Sequence, residues 1–299
     1  NLRGTIIISS EGVNGTISST KRNLDIALNK IKKVLNFISF DSQNLSKSKF
    51  QIFNKGKVKI KKEVVPMGIK ILKRKTKNHL EPIKWNKLIS NKKTILIDAR
   101  KPFEYKVGTF KGSINPEIDK FREFPNYLKK LDRKQTIAMF CTGGIRCEKA
   151  SSYLIKHKFK NVFQLKGGII QYAHQIKEQK IKSKFKGKNF VFDDRLGERI
   201  TEDILSNCHQ CEKACDNHIN CENDACHLLF IQCDKCKKKY DGCCSKGCAE
   251  IIKLPIQKQR VLRKEKPDIA APLIHHYRDR LKPKLKEMTE RKNNNLIKK

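Results

Sequence analysis

The reactive chemistry of this chain centres on six residues, Cys141-Thr142-Gly143-Gly144-Ile145-Arg146. They follow the apolar run Thr136–Phe140 and precede a helical pattern. A cysteine between a strand and a helix N-terminus meets converging backbone N–H groups and the positive end of the helix dipole. Both favour an anion. The thiolate, and any charged species built on it, is stabilised there. Gly143 and Gly144 let the loop curl without Cβ clashes, so that its N–H groups turn inward. Arg146 closes the loop with a fixed positive charge. A buried cysteine that merely ends a core strand would need neither the paired glycines nor the arginine.

A second concentration of thiols lies downstream. Ten of the twelve cysteines fall between residues 208 and 248: Cys208, Cys211, Cys215, Cys221, Cys226, Cys233, Cys236, Cys243, Cys244 and Cys248. His209, His218 and His227 are interleaved with them. Cys208-x2-Cys211 and Cys233-x2-Cys236 have the spacing of thiolate pairs that grip zinc. No export signal is visible, so dense cysteine points to metal ahead of disulfides. Structural zinc leads, with disulfides, free thiols and an iron–sulfur cluster as the alternatives. The stretch is poor in large apolar residues outside Leu228–Ile231, so a metal would supply folding energy that its core cannot. Ten cysteines exceed one four-ligand site. Two sites are open, and spacing does not settle their pairing.

The elements around Cys141 follow from periodicity. After Arg146, the residues Cys147, Ala150, Leu154 and Ile155 recur at helical intervals, with Glu148, Lys149, Lys156 and Lys158 between them. Thr94–Ile97 predicts a short buried strand ending at Asp98-Ala99-Arg100, and Asn161–Leu165 predicts another, followed by Lys166-Gly167-Gly168. Strands alternating with helices predict a parallel α/β sheet. Ligands in such sheets bind beyond the C-terminal strand ends, where Cys141 lies.

In order and spacing, Asp98-Ala-Arg-Lys-Pro-Phe-Glu104, Gly108-x-Phe-x-Gly-Ser113, the cysteine loop and Leu165-Lys-Gly-Gly-Ile169 resemble a rhodanese domain. The loop is Cys-x4-Arg, the length that rhodaneses use to hold a persulfide sulfur. The related phosphatases use Cys-x5-Arg, and the residue after Arg146 is Cys147, so phosphoryl chemistry is not indicated. Cys141–Ala150, Lys188–Asp193, Arg195-x-Gly-Glu-Arg-Ile200 and the cysteine array together resemble the bacterial rhodanese-containing tRNA uridine hydroxylases, from residue 1 to about residue 250. The resemblance implies oxygen-dependent formation of 5-hydroxyuridine at the wobble position, with molecular oxygen as co-substrate and the tRNA anticodon region as partner. It also implies a longer N-terminal α+β domain, so a chain opening at Asn1 on the strand-like Gly4–Ile8 reads as N-terminally shortened.

The net charge is +37, from 67 basic and 30 acidic residues. It points to a polyanion such as tRNA. Lysine-rich drift in an AT-rich genome is the competing explanation. Residues 55–77 hold ten Lys/Arg against one acidic residue, and Lys57, Lys59, Lys61 and Lys62 are the candidate RNA contacts. No run of 18 uncharged apolar residues and no signal peptide is seen, so a cytoplasmic protein with no membrane partner is expected. No two-histidine-one-carboxylate iron site, dinucleotide loop or flavin signature is recognisable, so no nucleotide or flavin cofactor is expected.

The expected organisation is a partial ferredoxin-like α+β domain at 1–66 lacking its first strand and helix, and a basic linker at 67–85. A rhodanese domain at 86–185 follows, then a cysteine-rich, zinc-binding module at 186–250 and a basic, partly disordered tail at 251–299. Within 1–66, strands are predicted at Gly4–Ser9 and from Thr16, with a glycine turn at Glu11–Gly15 between them. A helix capped by Thr20 presents Leu24, Ala27, Leu28, Ile31 and Leu35 on one face, and Phe50–Phe53 and Lys57–Val65 complete the sheet.

Cys147, on the first helical turn, reads either as a resolving thiol for a Cys141 persulfide or as a core residue. Asp98 and Arg100 read as supports of the loop or as plain structure, and Glu104 as a partner for Arg146. Trp85 is expected at a domain edge, and Tyr153 and Tyr172 in the core. The expected function is tRNA uridine hydroxylation with Cys141 as the reactive residue. Its rivals are a sulfurtransferase fed by a sulfur donor and a non-catalytic, zinc-stabilised RNA-binding adaptor.

Overall fold

The structure is a computed structural model and describes residues 2–69, 78–118 and 120–265, the side chains of 263–265 aside. It divides into two compact units, one of residues 1–101, 109–185 and 189–200, the other of residues 102–108, 186–188 and the chain from 201 on.

The first unit begins with a hairpin, β1 (Arg3–Ser9) and β2 (Gly12–Ser18), paired antiparallel. The Thr20 hydroxyl caps α1 (Lys21–Val34) by accepting from the Asn23 amide. The predicted apolar face of α1 is the half-buried one, and none of its residues is fully buried. Strand β3 (Gly56–Ile60) pairs parallel with β1, giving the order β2-β1-β3. Two expectations are corrected here. Gly12–Gly15 is strand, and the turn is confined to Ser10–Glu11. A Cβ on Gly15 would lie 2.4 Å from the Thr5 carbonyl oxygen, so this glycine serves close strand approach. Phe50–Phe53 joins no strand, and the last strand stops at Ile60.

The second layer set is a four-stranded sheet of order β4-β8-β7-β5, parallel throughout. Along the chain, its strands and the elements between them are β4 (His79–Leu80), α2 (Pro82–Ile89), β5 (Thr94–Asp98), α3 (Pro102–Val107, in the second unit), β6 (Gly108–Phe110, a strand of a separate three-stranded sheet), α4 (Phe124–Leu128), β7 (Thr136–Phe140), α5 (Ile145–Lys156), β8 (Val162–Leu165) and α6 (Gly168–Glu178). Alternate residues of β7 face opposite cores. Ile137 and Met139 pack with Cys147, Ala150 and Leu154 of α5, while Ala138 and Phe140 pack with Ile169 and Tyr172 of α6. Helices therefore cover both faces, as expected of a parallel α/β sheet with predominantly apolar strands.

The 67–85 linker is corrected. β4 is an edge strand of the sheet, and Trp85 of α2 is fully buried, edge-on to Phe110 and Phe140. Trp85 is thus core, not domain edge. Residues 70–77 of the expected linker lie outside the described residues. Tyr153 and Tyr172 are buried as expected.

After β9 (Phe185–Asn189) and β10 (Glu198–Arg199), the cysteine-rich stretch holds an antiparallel pair, β11 (His218–Asn220) and β12 (Leu229–Ile231), then α7 (Asp234–Lys239) and α8 (Lys246–Ile252). Residues 186–188 and the chain from 201 on group with the second unit, and residues 189–200 with the first. Helix α9 (Ile256–Glu265) occupies the start of the expected tail, and the tail from 266 lies outside the described residues.

Candidate active site

Cys141 directly follows β7, and α5 begins four residues later. Gly144 takes the left-handed conformation, φ 90°, as the residue before the helix. The loop is held from the far side by α6. The amides of Ile169 and Ile170 donate to the carbonyls of Cys141 (3.0 Å) and Thr142 (3.1 Å). A Cβ on Gly168 would sit 2.6 Å from both carbonyl oxygens, so only glycine permits this approach. With its carbonyls turned to α6, the loop leaves the amides of Arg146 and Cys147 to donate to the Cys141 sulfur.

Cys141 is fully buried. Burial pushes its thiol up, but the Cys147 thiol donating to it, the Arg146 charge and the two amides outweigh burial and bring it down to about 6. Cys147 is also fully buried and is pushed well above the usual thiol range by burial and by the neighbouring Cys141 thiolate. It stays protonated and donates. Arg146 Nη2 bonds the Thr142 hydroxyl at 3.3 Å, which ties the two ends of the loop.

Asp98 and Arg100 form a fully buried bidentate pair, with Arg100 Nε donating to Oδ1 at 2.9 Å and Nη2 to Oδ2 at 2.7 Å. Thr109 Oγ1 donates to Asp98 Oδ2 at 2.9 Å, and Asn115 Nδ2 reaches the carbonyls of Asp98 and Arg100. Between the pair, the Ala99 amide donates to the Phe140 carbonyl, one residue before Cys141. The pair thus fixes the strand end beside the loop. Glu104 is fully buried on α3 in the second unit, where its charge acts on His218.

Lys57 and Lys59 lie on β3, an edge strand exposed along its whole length, and Lys61 and Lys62 follow it, also exposed. In the second unit, eight cysteines form two groups, Cys208/Cys211/Cys233/Cys236 and Cys221/Cys226/Cys244/Cys248. Within each, the sulfurs lie within 4.8 Å of one another. Four thiols so placed can hold a metal such as zinc. Cys215 and Cys243 belong to neither group, and none of the three interleaved histidines does.

A model of the UPF0176 acylphosphatase like domain matches residues 1–64, one of the Rhodanese-like domain residues 82–175, and one of the Rhodanase C-terminal region residues 186–249. A tRNA uridine(34) hydroxylase of Pelagibacter ubique (strain HTCC1062) is 57% identical over 216 residues, 71% of each chain. One from Pectobacterium carotovorum subsp. carotovorum (strain PC1) is 42% identical over 272 residues, covering 87% of this chain and 75% of the relative. The enzyme of that name from Leptospira interrogans is 41% identical over 269 residues, covering 88% and 73%. The chain belongs to the tRNA uridine(34) hydroxylase family.

In this family member, α5 carries two polar contacts that sequence reasoning missed. Lys149, 8% exposed, donates to Glu11 Oε1 (2.6 Å), Glu63 Oε2 (2.6 Å) and the Val65 carbonyl (2.9 Å). Burial pushes the Glu63 carboxyl up, but bonds from Lys149 and from the Met67 and Gly68 amides hold it below its ordinary value. Glu11 also accepts from the Val64 amide at 3.0 Å. One lysine therefore ties the helix behind Cys141 to the N-terminal domain. Glu148, one residue earlier, pairs with His79 of β4, which contacts Gln164 Nε2 at 2.8 Å. Lys149 fell in the polar stripe of the helix, and nothing local marks partners 86 and 138 residues away.

Proposed function

We propose that this chain hydroxylates uridine 34 of tRNA, forming 5-hydroxyuridine with molecular oxygen as co-substrate, and that Cys141 is its reactive residue. The observation that carries this reading is a thiol held at about 6 at the C-terminal end of a parallel strand. It lies within a chain 41–57% identical to enzymes named tRNA uridine(34) hydroxylase. At neutral pH the sulfur is a thiolate, the form that attacks carbon or sulfur electrophiles. A non-catalytic adaptor would have no use for it. Cys147 keeps a proton beside the thiolate and is the resolving thiol if a persulfide or disulfide forms there. Asp98 and Arg100 position the strand end, and Thr142–Arg146 form the cradle.

The anticodon is the part of tRNA whose bases are splayed out for such a site. The exposed lysines Lys57, Lys59, Lys61 and Lys62 are the phosphate contacts in this reading. The protein works in the cytoplasm with its tRNA, and no described helix is long and apolar enough to cross a membrane. Zinc in the four-cysteine groups serves the fold, because four thiolates leave it no open position for substrate.

The test is mass spectrometry of tRNA nucleosides from a strain lacking the gene, complemented with this chain or with Cys141→Ser. 5-Hydroxyuridine returns with the first and stays absent with the second. Its return with Cys141→Ser would move the chemistry off the loop. A sulfurtransferase reading is supported by the Cys-x4-Arg length of the loop. It predicts a Cys141 persulfide after exposure to a sulfur donor such as thiosulfate, with transfer to an acceptor and no change in 5-hydroxyuridine.

A further inference from the structure

Each four-cysteine group is assembled from two separated stretches of chain, and the stretches alternate. Along the sequence the pairs run Cys208/Cys211, Cys221/Cys226, Cys233/Cys236 and Cys244/Cys248. One group takes the first and third pairs, the other the second and fourth. We infer that the two groups are two tetrathiolate zinc sites of a single cross-braced module, which takes up both ions together or neither.

The sulfur geometry fits one ion per group. Cys211–Cys233 and Cys226–Cys244 are 3.6 Å apart and Cys244–Cys248 is 3.8 Å apart. Four thiolates about 2.3 Å from a tetrahedral ion stand about 3.8 Å from one another. A disulfide needs about 2.05 Å, and all twelve cysteines are free thiols. Each group is also pre-tuned for negative sulfur by an amide from its opposite pair. Cys233 N donates to Cys208 Sγ and Cys244 N to Cys221 Sγ, both at 3.4 Å.

Three observations bind the two sites together. First, the chain between the halves of one site carries a ligand pair of the other, so an ion in either site closes a loop that the second ion would otherwise have to close. Second, Gln210 lies between two ligands of the first site and Gln232 precedes a third. Both donate to the carbonyl of Cys243, beside ligand Cys244 of the second site, at 3.0 and 3.1 Å. Third, cysteines make up much of what holds the module. Its buried cluster consists of Cys221, Cys226, Cys243, Cys244 and Cys248 with Leu228, Phe230 and Ala249, and Ile219 and Ile252 pack against it partly buried. Binding is a proton exchange without redox change: Zn²⁺ and four thiols give a zinc tetrathiolate of charge −2 and four protons.

The test is elemental analysis of the purified full chain, followed by Cys211→Ser and Cys226→Ser separately. Two zinc ions per chain are expected in the parent and near none in either variant, while Cys215→Ser and Cys243→Ser keep both. One ion retained at parent affinity in each single-site variant would overturn the coupling while leaving the zinc assignment intact. No metal in the parent, or iron with strong visible absorbance, would overturn the zinc assignment. Chelator titration of the parent, read by a metallochromic dye, needs no variant to fold. Release in one cooperative step supports the inference, and two independent steps refute it. None of these readouts depends on whether the chain modifies tRNA.

Discussion

At the Cys141 loop one sulfur is buried among amide N–H groups, an arginine and a donating thiol, whereas between Cys208 and Cys248 eight sulfurs gather in two groups of four. In the loop, charge on sulfur is stabilised by donors that the backbone holds in place, and the sulfur keeps its nucleophilic lone pairs. In the module, four negative sulfurs in one group would repel one another, and either protons or a cation at their centre must offset that charge. In the proposed reading, the same side chain is a reagent where dipoles surround it and a structural ligand where other thiols do.

The sharpest way to break this contrast is Cys141→Ser. The change is nearly isosteric, so folding and metal content should match the parent, while uridine hydroxylation should fall by about three orders of magnitude or more. A serine variant that loses zinc or unfolds would show that Cys141 is structural after all. A thiol held at about 6 also carries a pH signature. Its alkylation by a small reagent should reach half its plateau near pH 6, instead of near the ~8.5 of a free thiol. Below that point it should fall tenfold per pH unit as the thiolate is protonated. Cys147→Ala removes one donor, and the half-point should move upward. An unmoved half-point would assign the depression to Arg146 and the amides alone.

These contrasts also explain what could be read in advance. The Cys141 loop is local: strand, paired glycines, arginine and helix follow one another, so its position between β7 and α5 was legible. The parallel sheet was legible for the same reason, since Thr94–Ile97, Thr136–Phe140 and Asn161–Leu165 are short apolar runs. The edge strand His79–Leu80 was not, because two residues carry no alternation. Pro82 behind Glu81 did mark a helix start inside the supposed linker. The pairing of cysteines across 18 to 28 residues is a tertiary fact that the spacing of single pairs does not contain, and neither is the reach of Lys149.

Lys149→Met tests how the reactive helix is anchored. It removes the cation from between Glu11 and Glu63 and leaves two half-buried carboxylates facing each other, so the first unit should lose about 2–4 kcal/mol. Adding Glu11→Gln and Glu63→Gln should recover much of that loss. Thermal unfolding measures both, and a single variant as stable as the parent would reduce the cluster to a surface contact.

The smallest effect is expected from charge on the N-terminal domain. Lys57, Lys59, Lys61 and Lys62 sit on and just after an exposed edge strand. Replacing all four by glutamine should weaken tRNA binding and flatten its salt dependence, by a log–log slope of roughly 0.7–0.9 for each phosphate that is no longer neutralised. The Cys141 alkylation profile should not move, because nothing around its sulfur is touched. Ordinary drift toward lysine predicts a different result. Affinity would then fall equally for any RNA of the same length, whereas a docking site should lose its preference for substrate tRNA over such an RNA. Unchanged binding and modification in the quadruple variant would place the docking surface elsewhere among the 67 basic residues.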